Sequence, residues 1–174
     1  MSVVYHEMFH QYIFYALGRL ETAPWFNEGQ ACFFENSVMD ARHFDVNENE
    51  AKARIVTDLL KAGPVDLSGL LRMSQKDFYA GGEEARRRNY ATAWALIYYL
   101  RKANQAGKPF PYAGLSDAYC AALVQLRNPD QATAQAFAKI DQAQLQADFA
   151  AFWKSSQKRD QARRNRIFKS FSGD

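Results

Sequence analysis

The chain has 174 residues, 48% of them hydrophobic and 14% aromatic, enough for a core and most simply one domain. A formal net charge of +3 is too slight to argue for nucleic acid or a membrane surface as partner. No signal peptide or transmembrane run is visible, and the two cysteines, Cys32 and Cys120, form no metal-binding pair in sequence and call for no disulfide.

Helices are expected nearly throughout. The first runs over about residues 3–17, with Val4, Phe9, Ile13, Phe14 and Leu17 making it apolar on most sides, which marks it as central. It carries His6-Glu7-Met8-Phe9-His10, an H-E-x-x-H string. Residues four apart share one helical face, so the two imidazoles can reach a single Zn²⁺ at about 2.0–2.1 Å each. Glu7, one step round the helix, is placed to hold a metal-bound water. Gly18 suits the end of this helix and Pro24 the first turn of the next. The connection Arg19–Ala23 is short enough for an antiparallel neighbour.

The second helix, over about residues 24–38, brings Glu28 round to face the imidazoles. A carboxylate among Trp25, Phe26, Phe33 and Phe34 is costly unless paired or metal-bound. Two histidines, one carboxylate and an open position make a catalytic zinc rather than a closed structural one. The plainer alternative is that His6 and Glu28 merely pair in a core. Cys32, on Glu28's side of the helix, reads first as a small buried hydrophobe.

Residues 39–46 read as a loop holding His43, a solvent-facing residue and a fallback ligand. Asn47 with Glu50 forms a capping-box-like start for a helix carrying Ile55, Val56, Leu59 and Leu60, stopped by Gly63-Pro64. Leu67, Leu70, Leu71 and Met73 suggest a short apolar turn, and Ser74 with Asp77 caps a further short helix. Gly81-Gly82 is the best hinge of the chain. Tyr90, Trp94, Ile97 and Leu100 mark a core helix ending near Gly107, whose Arg86-Arg87-Arg88 run reads as a solvated face. Ser116 opens another helix, Asn128-Pro129-Asp130 closes it and starts the next, and Asp141 with Gln144 caps the last, striped by Leu145, Phe149, Phe152 and Trp153. Residues 1–155 form the helical domain, and 156–174 a basic helix end or soluble tail.

The string His6-Glu7-Met8-Phe9-His10 resembles the active-site helix of the gluzincin clan of metallopeptidases, which includes thermolysin and the aminopeptidase-N-like enzymes. Trp25-Phe26-Asn27-Glu28-Gly29-Gln30-Ala31 is similar to the aminopeptidase string W-L-N-E-G-F-A, and Glu35 falls where that string has a further Glu. The strings Tyr90–Leu96 and Phe137–Asp141 are similar to a bacterial family of poorly characterised gluzincin-like domains. The resemblance implies His6, His10 and Glu28 as zinc ligands and Glu7 as general base. It places Asn27 and Glu35 as residues supporting the ligands. Clan members supply a Tyr or His to the oxyanion from downstream; Tyr90, after the glycine hinge, is the nominee, or else a core tyrosine. The gap from His10 to Glu28 is one residue shorter than in the aminopeptidases. The amine-recognition string G-x-M-E-N is missing, so exopeptidase activity does not carry over.

The expectation is therefore an all-α bundle around the H-E-x-x-H helix, the C-terminal helical part of a gluzincin catalytic domain. Clan members place a β-sheet ahead of this helix, so an N-terminal β-rich segment is expected in the full-length protein. The function expected is a zinc-dependent metallopeptidase acting on a peptide or protein, with Glu7 taking a proton from the zinc-activated water. The alternatives are a non-catalytic zinc-binding helical module and a metal-free helical interaction domain derived from a peptidase.

Overall fold

A glycine and a proline set the first corner of the chain. In the computed structural model, which describes residues 2–39, 44–103 and 110–155, α1 (Ser2–Ala16) stops before Gly18 and Arg19, at φ of 69° and 65°. These are left-handed values that glycine adopts without strain. α2 (Pro24–Phe34) then begins with Pro24 in its first turn, where a missing N–H leaves no bond unmade.

α2 ends earlier than its apolar pattern suggests, and the expected loop over 39–46 contains strand. β1 (Ser37–Met39) and β2 (Phe44–Val46) pair antiparallel, with Val38 opposite Asp45. Asn36 and Ser37 favour turns over helix interiors, and β-branched Val38 favours strand. The hairpin also moves the next cap. The Asn47 N–H bonds the Asn36 carbonyl at 3.1 Å, so Asn49, not Asn47, caps α3 (Glu50–Ala62) by accepting from the Lys52 N–H. His43, Gly107 and the basic run from Lys158 to Lys169 lie outside the described residues, while the helix expected to end near Gly107 ends at Lys102.

The remaining elements are helical; those capped by Ser74, Asn128 and Asp141 start where expected, whereas the one expected to open at Ser116 opens at Leu115, after Gly114. Asp66 caps α4 (Leu67–Leu71). Ser74 caps α5 (Gln75–Tyr79), its hydroxyl accepting from the Asp77 N–H and donating to the Asp77 carboxylate. α6 (Gly82–Lys102) opens on the two glycines, Gly81 as its cap and Gly82 as its first residue, both at positive φ. α7 (Leu115–Leu126) gives way to α8 (Pro129–Ala136), capped by Asn128. The last described helix, α9, runs over 142–155, and Asp141 accepts from the Ala143 and Gln144 N–H groups at its start.

The all-α bundle is thus as expected, but a different helix sits at its centre. Every residue of α6 from Ala91 to Leu100 is buried except the half-buried Tyr98. Trp94 packs on Trp153 of α9, while α2 lies along the same helix. Gly29 makes that approach possible: a Cβ there would stand 2.7 Å from both the Ala93 carbonyl oxygen and Ile97 Cγ1. Trp25 ties α2 to the far side, its indole N–H donating to Thr133 and its ring edge-on to Tyr119 and Phe137. α1, expected at the centre, lies outside. It buries Ile13 in the core, with Leu17 just past its end and the half-buried Phe9 stacked on Phe34, while Val4, Met8, Tyr12 and Tyr15 stay exposed. No helix among the described residues is long and apolar enough to cross a membrane.

Candidate metal centre

The corner between α1 and α2 lays the two helices side by side and turns His6, His10 and Glu28 towards one point. His6 Nε2 stands 3.3 Å from Glu28 Oε2, and His10 Nε2 stands 3.6 Å from the same oxygen. Two ligand atoms on a tetrahedral zinc, each about 2.0–2.1 Å from it, are about 3.4 Å apart, so these spacings fit one ion.

The other ring nitrogens are engaged. His6 Nδ1 donates to Glu35 Oε1 at 2.8 Å, and His10 Nδ1 donates to Asn27 Oδ1 at 3.0 Å. A hydrogen on each Nδ1 points each Nε2 into the common centre, as metal-binding histidines require. Asn27 and Glu35 therefore each hold one imidazole. Glu28 is 3% exposed, and its two oxygens differ. Oε1 accepts from the Tyr79 hydroxyl at 2.5 Å, whereas Oε2 is buried and accepts no hydrogen bond from any described residue. A buried carboxylate oxygen without a donor is costly, and a cation shared with the two Nε2 atoms removes that cost.

Without an ion, the same groups hold a proton on His6 that a cation would have to displace. The Cys32 sulfur, then Glu28 and Glu35, hold the proton on His6 and raise its pKa well above 6.5, against the opposite pull of burial. Burial pushes Cys32 up, so its thiol is neutral near pH 7. Burial also pushes Glu28 up, but His6, Tyr79 and the nearby His10 outweigh it and hold the carboxyl below its ordinary 4.5. Glu35 behaves alike, with His6 and Lys52 outweighing burial.

Glu7 is exposed on α1 beside His6 and bonds no described residue. Tyr90 is drawn to the site: its ring centroid lies 6.4 Å from that of His6, and burial with the Glu28 charge raises its phenol to about 12. A groove of about 550 Å³ adjoins His10 and Asn27, walled by Ile13, Phe14, Leu20 and Thr22.

Three partners were not singled out by sequence as belonging here. Tyr79 comes from α5 and Lys52 from α3, and Cys32, buried in the core as expected, also lies within ligand range of His6 and Glu35. His6, Cys32 and Glu35 form a second set of possible ligands, in which Glu35 is bonded to His6 Nδ1. Both Glu35 oxygens there are satisfied, however, with Lys52 Nζ on Oε2 at 2.5 Å. Only the first set contains an orphaned carboxylate oxygen. Lys52 leaves a faint sequence signal, a lysine in the first turn of its helix; Tyr79 leaves none.

Fold and site together define an all-α bundle in which two adjacent helices bring a pair of histidines and a buried glutamate into range of one cation. Residues 1–108 match a protein family described as "Protein of unknown function (DUF1570)". The chain belongs to that family, and the matched segment includes every residue of the candidate centre. None of the curated proteins and none of the solved structures compared with the chain matches it.

Proposed function

We propose that the protein is a zinc-dependent metallopeptidase of the gluzincin type, acting on a peptide or protein. One observation carries the proposal: the donor-less Glu28 Oε2 faces two Nε2 atoms, each aimed by a bond at its own Nδ1. His6, His10 and Glu28 would hold the ion. Bound zinc would supply Lewis acidity, which makes water nucleophilic at neutral pH and polarises a carbonyl.

Glu7 takes the proton of the attacking water and delivers it to the leaving amine. Its exposure and freedom from described partners suit that shuttle. Tyr90 faces the developing oxyanion, and its raised pKa keeps the hydroxyl protonated and able to donate. The groove beside His10, apolar along Ile13, Phe14 and Leu20, offers a place for a peptide side chain.

Metal analysis of protein purified without added zinc tests the ligand set. About one zinc per chain is expected, lost in His6→Ala. Zinc well below one per chain, with no change in His6→Ala, would leave a metal-free helical module. Glu7→Gln then tests the chemistry. It is expected to keep zinc and lose hydrolysis by about a hundredfold or more. If zinc is bound but Glu7→Gln changes no measurable activity, the centre is a non-catalytic one.

A further inference from the structure

His6 lies between two sets of possible cation ligands. Its Nε2 faces Glu28, which groups with His10, and its Nδ1 bonds Glu35, which groups with Cys32. Cysteine sulfur is a strong ligand for zinc and for softer cations, so the second set is a genuine competitor for the metal. A cation on Nδ1 would require that nitrogen to give up its hydrogen and would break its bond to Glu35. The ring would then no longer be held with Nε2 towards Glu28.

Lys52 stands against this. It lies in the first turn of α3, fixed there by the Asn49 cap on its own N–H. A cation in that turn opposes the helix dipole, so the position is locally unfavourable for lysine. The side chain is nevertheless only 19% exposed, against 17% for Glu35, and its Nζ meets Glu35 Oε2. Glu35 caps the C-terminal end of α2, where the dipole disfavours a carboxylate. The two residues each sit at the wrong end of a helix for their charge, and each offsets the other. The ammonium occupies the free Glu35 oxygen, leaving the other to the His6 Nδ1–H, and it sets a positive charge beside the thiol set.

We infer that Lys52 is a positioning residue that selects which side of His6 takes the metal: by holding Glu35 and repelling a cation from the Cys32 set, it directs the ion to His6, His10 and Glu28. This rests on the zinc reading above. Lys52 touches neither the metal nor a substrate.

Cobalt, which replaces zinc in such sites and reports its ligands by colour, tests the inference. In wild type, Co²⁺ is expected to show tetrahedral visible bands and no thiolate-to-cobalt band in the near ultraviolet. Lys52→Met should gain the thiolate band, and adding Cys32→Ser should abolish it. Lys52→Arg, which keeps the charge, should match wild type. Lys52→Gln gives the same comparison if the methionine variant fails to fold. A wild type that takes up cobalt, with an uncharged variant of identical spectrum, overturns this inference alone. A wild type that takes up no cobalt overturns the zinc reading and this inference with it.

Discussion

Each histidine of the centre has a partner for its Nδ1–H, and that shared habit makes a quantitative demand on the metal-free protein. With Nδ1–H kept for Glu35, His6 also holds a second proton, on Nε2, well above pH 6.5, through Cys32, Glu28 and Glu35. Because the folded-state pKa is raised, this proton stabilises the metal-free fold fully below about pH 6.5, and the contribution is lost as pH rises through the raised value. Zinc needs a bare Nε2, so binding at pH 7.5 should expel about one proton from His6, and affinity should rise about tenfold per pH unit from 6.5 to 8.5. Calorimetry in two buffers of different ionisation enthalpy reads that proton directly; a buffer-independent heat would contradict it. Tyr79 invites a second test, since its hydroxyl holds the Glu28 oxygen that faces away from the imidazoles. Tyr79→Phe should weaken zinc about tenfold in chelator competition while leaving the fold intact, and unchanged affinity would remove Tyr79 from the centre. At this scale the convergence of the candidate ligands was legible because two lie one helical turn apart and the third is a carboxylate in an apolar helix. Tyr79 was not legible and Lys52 only faintly so, because they arrive from elements 51 and 17 residues along the chain from their partners. No local pattern encodes those approaches.

The helices were legible where a side chain or a proline declares the end of one: Pro24, Ser74 with Asp77, Asn128-Pro129, and Asp141 with Gln144. The hairpin was not, because three-residue strands carry too little alternation to register, and its pairing of Asn47 with Asn36 displaced the expected cap to Asn49. Gly29 belonged in the sequence to the Asn-Glu-Gly string; in the structure it is where α2 presses on α6. Neither obstacle to a methyl group there can yield easily, since one is backbone and the other a buried isoleucine. Gly29→Ala should therefore cost about 1–3 kcal/mol in urea denaturation and weaken zinc binding, because Glu28 moves with the helix. Gly63 is the control: its φ of 165° is extended backbone, and a Cβ there meets nothing within 4 Å, so Gly63→Ala should leave both measurements unchanged. Equal stability of the two variants would mean that α2 and α6 have room to separate without loss.

Across the molecule, burial and chemistry are divided between different helices. α6 is the spine, flanked by α2, α3 and α9, whereas α1 carries two of the three candidate ligands and little of the core. Its apolar residues suggested a central helix because composition does not say which faces are covered. Only the face with Phe9, Ile13 and Leu17 packs against the core formed by the described residues, and the stripe Val4, Met8, Tyr12 and Tyr15 remains outside it. With so few buried apolar contacts, α1 should be the first element to open locally, and a cation shared by His6, His10 and Glu28 would fasten it to α2. Free zinc at a hundredfold excess over its dissociation constant stabilises the fold by about 2.7 kcal/mol. For a chain of this length that corresponds to a melting shift of about 5–10 °C on chelation. Hydrogen exchange should place the loss: the α1 amides lose protection when zinc is stripped, while those of α6 between Ala91 and Leu100 keep theirs. A chelator that leaves both the melting midpoint and α1 protection unchanged would mean that packing alone holds this helix, and the protein would then be a metal-free helical module.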